Sequence, residues 1–282
     1  MMKKRSVGSS ILVYLGLAVT MIVVIFPFFW LVSSSLKSSQ EIFAVHQTFI
    51  PKNVTLQNFV YAFSGSPGPD IVPLLVNSVI VSLFTAVITL FFAATGGYAI
   101  GRLRFPGLQP FILLIMITQM FQGPVIMVPW YKMAARMGVL NTRTGLVLIY
   151  LTSTIPIAVW LMSGFFKGLP KEMEEAATID GCGRMRTFLQ IILPLVKGGL
   201  VSVGIYSFIQ AWNDYQYALI LTTSERAKTV QVGIAELMGG IGQINWGGIM
   251  ACGVIITIPV ILLFGFVQRY LIEGLTAGAV KG

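Results

Sequence analysis

The sequence predicts an all-α integral membrane protein with six transmembrane helices and a short cytoplasmic helix between spans 4 and 5. Three observations predict it. Of the 282 residues, 56% are hydrophobic and only 10% are charged, against roughly 25% charged in an ordinary soluble domain. The charges are bunched, leaving long charge-free stretches. Those stretches are continuous rather than alternating, which argues against a membrane β-barrel. A chain with so few charges cannot build a soluble exterior, so a soluble enzyme, a disordered tail and a nucleic-acid module are excluded.

The elements follow in order. A spanning helix needs about 20 mostly apolar residues to cross about 30 Å of hydrocarbon. Ser6 to Leu36 carry no charge, which predicts span 1 over 11–33 behind a cytoplasmic segment, 1–10. Met1 to Arg5 resemble the basic start of a signal peptide. The apolar run after them is too long for one and lacks a small-residue cleavage site, so the span is expected to be retained. Ile71 to Gly101 predicts span 2 over 71–100, and Phe105 to Tyr131 predicts span 3 over 108–131. Thr144 to Phe166 predicts span 4 over 144–166. Thr187 to Asn213 is interrupted only by Lys197 and predicts span 5 over 194–221. Leu237 to Gln268 predicts span 6 over 247–270, followed by a flexible cytoplasmic tail, 273–282. Residues 11–282 thus form one transmembrane domain.

Orientation follows from basic residues. With the amino terminus in the cytoplasm, 12 Lys and Arg fall inside and 7 outside, as the positive-inside rule requires. Both termini are then cytoplasmic in a multi-pass protein of the cell (inner) membrane. The net charge of +9 is largely topological. No basic patch with interleaved aromatics is present, so no nucleic-acid partner is expected. Arg102 and Arg104 are expected to anchor span 2 at the inner surface. The outer segment Lys37 to Asp70 is long enough for a short helix or two. Cys182 and Cys252 fall in different compartments of this topology, so no disulfide is expected. With one histidine, His46, and two separated cysteines, no structural metal site is expected.

The loop between spans 4 and 5, residues 168–193, is the most informative segment. Pro170 suits a first helical turn, Glu172, Glu174 and Glu175 complement the helix dipole, and Gly181 is a natural stop. Met173, Ala176 and Ala177 fall at helical spacing and are expected to share one small apolar face. Met185 and Phe188 are expected to be exposed apolar positions on a second helical start. Physics alone leaves two readings open, a solvated connector and a helix that another protein docks on.

The spacing Glu175-Ala176-Ala177, three residues, Gly181, nine residues, Ile191, one residue, Leu193-Pro194 resembles the EAA signature of ABC-importer permease subunits. Pro27-Phe-Phe-Trp-Leu-Val-Ser-Ser-Ser-Leu-Lys37 with Glu41-Ile-Phe, Pro51-Lys-Asn-Val-Thr-Leu-Gln-Asn-Phe59 and Trp212-Asn213 are similar to segments of carbohydrate-uptake permeases. The tail Gln268 to Gly282 resembles the end of the maltose-type second permease subunit. The resemblance covers essentially the whole chain.

It implies a sugar or oligosaccharide importer working by alternating access. The implied partners are a second permease subunit of different sequence, two cytoplasmic ATPase subunits, an extracytoplasmic sugar-binding protein and the lipid bilayer. It implies that Glu175, Ala176, Ala177 and Gly181, with Asp180 and Arg184 beside them, form the ATPase-coupling element. Met185 and Phe188 join it on their own expected exposure. The chain has no Gly-Lys pair with which to build a phosphate loop. The expectation is therefore no catalytic residue and no cofactor on this chain, with ATP and Mg held by the partner ATPases.

Polar residues at membrane depth usually face protein or water. Asn77, Gln119, Gln122, Gln210, Asn213 and Asp214 are therefore substrate-path candidates, with Ser78 beside the first and Trp212 and Tyr215 near the last. Helix–helix glue across the subunit interface is the other reading of each. Gly97 and Gly101 have the spacing that lets helices pack closely. An ion-gradient-driven secondary transporter is the alternative function. It would favour buried charges at the midplane, and these spans carry almost none. A membrane enzyme lacks a catalytic constellation, and a channel lacks a visible filter.

Overall fold

The structure is a computed structural model of the chain. It describes residues 7–64, 70–103, 106–121, 123–239 and 244–279, with side chains over 10–268. Every regular element among these residues is helical. The chain divides into two compact units, Met1–Ile71 with Ile234–Ile258, and Val72–Gly233 with Pro259–Gly282.

In the first unit α1 spans Val7–Ser35. Its apolar side chains are exposed nearly all round, the pattern of a helix solvated by hydrocarbon or by another subunit. Past its end the chain is tied down. The Lys37 ammonium sits 4.6 Å from the Trp30 ring centroid and donates to the Thr48 carbonyl. Asn58, on α3 (Gln57–Ser64), donates to the Ser35 and Lys37 carbonyls at 2.8 Å each, satisfying helix-end acceptors. Between them lies α2 (Ser39–Ile42), capped by Ser38. The Glu41 carboxylate accepts from the Thr48 hydroxyl and the Lys52 amide. These bonds hold it below the usual carboxylate range.

In the second unit α4 (Ile71–Arg102) and α7 (Arg143–Lys167) are the long members. They approach closely at the two glycines. A Cβ on Gly97 would lie 2.6 Å from Met162 Cβ, and one on Gly101 would lie 3.0 Å from Phe166 Cβ and the Ser163 carbonyl. Both glycines therefore work as the spacing predicts. Next to this contact Ala93, Ala158, Met162, Phe166, Phe188, Ile192 and Val203 form one buried cluster.

Three predicted spans differ from the structure. The stretch 108–131 is not one helix. It forms α5 (Leu108–Thr118) and α6 (Pro124–Arg136), separated by a break that contains Gly123 at φ +81°. Glycine with positive φ followed by proline stops one helix and starts another. Gln122 and Arg104 lie outside the described residues.

The stretch 194–221 is also interrupted. It is entered through α9 (Arg184–Thr187), a π-turn over Phe188–Ile192 and α10 (Leu193–Leu195). A 77° bend separates α10 from α11 (Lys197–Asn213), and α12 (Gln216–Leu221) follows after a break at Asp214. Pro194 has no N–H to give to the preceding turn, so the regular ladder is lost there.

At the other end α14 runs from Trp246 through Ala279. Residues 273–279 are thus helical where a flexible tail is expected, because Leu275, Thr276, Ala277 and Ala279 continue the helix across two glycines. Between α12 and α14 stands α13 (Val230–Gly239).

Among the described residues, four helices are long and apolar enough to cross a membrane, and five if the bent pair counts as one. Gly97→Val should lower the melting temperature of the detergent-solubilised protein, since overpacking costs about 1–3 kcal/mol. Gly164→Val should leave it unchanged, because nothing lies within 4 Å of a Cβ there. Melting curves of the two variants decide it, and equal melting would refute the close α4–α7 contact.

Candidate functional site

The loop after α7 folds as its composition directs. Following Pro170, α8 spans Glu172–Ile179 with all three glutamates in its first turn. It ends in a Schellman turn. Cys182 N–H donates to the Ala177 carbonyl at 2.9 Å and Gly181 N–H to Thr178 at 3.1 Å, with Gly181 at φ +79°.

The loop residues divide into two sets. Glu175, Ala176, Asp180, Gly181, Arg184 and Met185 face outward, Met185 with 70% of its surface exposed. Met173, Ile179 and Leu189 join them, Ile179 at 86%. A Cβ at Gly181 would meet nothing in this chain. Ala177 and Phe188 face inward. The expected small face is therefore split, with Met173 and Ala176 outside and Ala177 buried.

The exposed placement expected of Phe188 is corrected. It is only 8% exposed, with its ring 4.8 Å from Tyr98 and 6.3 Å from Phe166. The π-turn rotates it under the loop, and a regular helix drawn from spacing alone could not show that.

A second feature is a polar pocket of about 450 Å³, lined by α7, α11, α12 and the break before α6. Tyr150, Ser153 and Thr154 line it from α7, Tyr206 and Gln210 from α11, and Asp214, Gln216 and Tyr217 from the next turn. Asp214 accepts the Tyr150 hydroxyl at 2.6 Å and the Ala218 amide at 3.1 Å, fixing the start of α12. Among the described residues, Tyr206, Gln210 and Gln216 show no side-chain hydrogen bond within the chain. Gly123 also lines the pocket. Irregular backbone at membrane depth is tolerated where it is buried in protein or lines a wet cavity, and this break borders a pocket with polar walls.

Of the substrate-path candidates, the pocket brings together Gln210 and Asp214. Asn213 is exposed beside it but does not line it. Gln119 sits in the break, its side-chain amide 3.5 Å from Thr118 Oγ1. Trp212 is 2% exposed and stacks on Phe208 at 5.5 Å, so it is core and no sugar platform. Sequence reasoning missed Tyr150, Ser153 and Thr154. Their i, i+3, i+4 spacing within an apolar span marks one polar helix face and was legible.

Asn77 belongs elsewhere. It is 0% exposed, donates to the Glu225 and Lys228 carbonyls at 2.7 and 2.8 Å, and accepts from Arg143 Nε at 2.7 Å. Ser78 Oγ accepts the Val230 amide at 2.9 Å. Asn141, at φ +56°, accepts the Thr223 and Ser224 amides at 3.0 Å. These residues clasp segment 222–230 to the starts of α4 and α7, so the Asn77 amide is spent within this chain on a loop segment and a guanidinium.

Long apolar helices, a broken span beside a polar pocket and a protruding helical loop make this the membrane-embedded part of a transporter. The fold agrees with a solved structure of a bacterial ABC transporter involved in the import of the acidic polysaccharide alginate. The two share a TM-score of 0.79 and 22% identity over 95% of this chain and 99% of that one. Residues 104–276 match the model of the binding-protein-dependent transport system inner membrane component, and the chain belongs to that family. It is 36% identical to the inner membrane ABC transporter permease protein YcjP of Escherichia coli over 95% of both chains. It is 34% identical to the trehalose/maltose transport system permease protein MalG of Thermococcus litoralis over 99% of both.

Asn77→Leu strips the partner from Arg143 Nε and from two carbonyls, each unsatisfied group costing about 1–3 kcal/mol. Segment 222–229 should loosen, and trypsin should cleave after Arg226 and Lys228 faster than in wild type. Unchanged cleavage kinetics would show that the clasp does not order the segment.

Proposed function

We propose that this chain is the permease subunit of an ATP-driven importer that carries a sugar or oligosaccharide into the cytoplasm. The observation that supports the sugar class is the end-to-end match to a relative named for trehalose/maltose transport, which spans 99% of each chain. The chain crosses the cell membrane six times in this reading. The four long helices give four crossings, the bent α9–α11 pair a fifth, and the broken α5–α6 pair the sixth. Both termini lie in the cytoplasm, which puts α8 on the cytoplasmic side and the Asn77 clasp outside.

The exposed rim of the loop is the ATPase dock. Ala176 and Gly181 leave room for a partner's backbone, Met173, Ile179 and Met185 offer apolar contact, and Glu175, Asp180 and Arg184 supply charge. Two ATPase subunits hold ATP and Mg; this chain holds neither. A second permease subunit completes the path, and a binding protein delivers the sugar outside. Closure of the ATPases displaces α8 and shifts the permease between states, by as much as ATP binding favours one over the other.

The pocket is this chain's share of the path. Its unpaired Gln210 and Gln216 amides and Tyr206 hydroxyl suit a polyol, which both donates and accepts, and its tyrosines offer ring faces.

ATP hydrolysis and uptake, measured with this chain reconstituted beside its permease, ATPase and binding-protein partners against a panel of di- and oligosaccharides, test the reading. One sugar should stimulate both. Gly181→Asp should insert normally, lose ATPase attachment and lower uptake about tenfold, the scale of one lost interfacial anchor. Uptake that follows an ion gradient without ATPase would overturn the proposal. The pocket is tested separately. Tyr206→Phe and Gln210→Leu should raise the sugar concentration giving half-maximal uptake several-fold with assembly intact, and wild-type uptake in both would remove it from the path.

A further inference from the structure

Arg102, the last residue of α4, is read from sequence as a surface anchor. Its side chain is 4% exposed. The guanidinium turns onto the start of the loop. Nη2 donates to the Leu169 carbonyl at 2.9 Å and approaches the Pro170 carbonyl at 3.3 Å. Nε lies 3.2 Å from Glu174 Oε1. That last contact is ionic rather than a well-aligned hydrogen bond. Glu174 also lies against the Tyr98 hydroxyl, one turn back on α4. One planar cation thus holds the turn after α7 and the first turn of α8 together, a geometry that the fork of Arg allows and a lysine does not.

The rest of α8 is weakly attached. Ala177 is its only buried residue. Its covalent link to α7 passes through Gly168, Leu169, Pro170 and Lys171, a short joint that begins with glycine. Along the chain, a displacement of α8 passes through this joint to α7 and through residues 180–183 to α9 and the π-turn, and neither is a direct route to α4. Arg102 provides one that reaches α4 directly, at the level where Gly101 seats α4 on α7. Below it Tyr98 lies between Phe166 of α7 and Phe188 of the π-turn, at 5.6 and 4.8 Å. The group is close-packed, and packed groups transmit displacement.

We infer that the Arg102–Glu174 pair is the joint through which movement of α8 reaches the α4–α7 pair, with Arg102 as a positioning residue for transport. The inference rests on the reading of α8 as the ATPase dock.

The test uses the full complex in proteoliposomes with Ser153→Cys as a reporter in the pocket. A membrane-impermeant maleimide is applied from outside, with and without ATP. Cys252 is buried, and Cys182, partly exposed on the loop, is replaced by serine so that the reporter is the one reactive thiol of this chain. ATP should raise labelling of the reporter. In Arg102→Ala the ATPases should remain attached and hydrolyse ATP, while ATP-dependent labelling falls about tenfold, the size of a typical coupling between sites. Arg102→Lys should recover part of it. Arg102→Ala with Glu174→Ala should be no worse than Arg102→Ala alone, because the two act as one joint. Wild-type labelling in Arg102→Ala would overturn the inference, as would loss of the ATPases from that variant, since the residue would then shape the dock instead of transmitting from it. Failure of the wild-type complex to bind any ATPase would instead sink the parent reading.

Discussion

Two glycines one helical turn apart set the distance between α4 and α7. With no Cβ at Gly97 or Gly101, the helices meet nearly backbone to backbone. Hydrocarbon gives helices little reason to associate through apolar side chains alone, so such close contact supplies the packing energy. Much else in Val72–Gly233 leans on it. The Tyr98–Phe166–Phe188 group fills the space beside the contact. Arg102 can reach the loop only because α4 ends against α7.

The same solvent governs where the helices break. A free backbone amide in hydrocarbon is costly, so irregular segments need a protein or water partner. The break before α6 borders the polar pocket, and Asp214 stabilises the break before α12 by accepting the Ala218 amide. The breaks before α6 and α12 thus both fall beside a cavity whose walls carry phenol, amide and carboxylate groups, whereas the 77° bend before α11 lies away from it. Backbone irregularity and side-chain polarity share a location because each makes the other tolerable.

The polar residues of the spans show how far a sequence can be read. Asn77 and Gln210 look alike in the sequence, each a lone amide in an apolar run. In the structure Asn77 spends its amide on two carbonyls and a guanidinium, whereas Gln210 faces a pocket. The partners of Asn77 lie 66 to 151 residues along the chain from it, beyond any local pattern. Arg102 is similar. Basic residues at helix ends usually snorkel to the interface, and only the fold of residues 168–174 turns this one inward.

Sequence by itself determined the membrane class, the place of the long apolar helices, the helical loop with its glycine stop, and the tight glycine pair. Each of these follows from local composition, spacing or a single backbone requirement. Tertiary structure alone decided that Phe188 lies under the loop, that Asn77 clasps segment 222–230 and that Tyr150 joins Asp214 in a pocket. Those outcomes depend on which groups meet across the fold. A polar group in a low-dielectric interior takes whatever partner the packing brings to it.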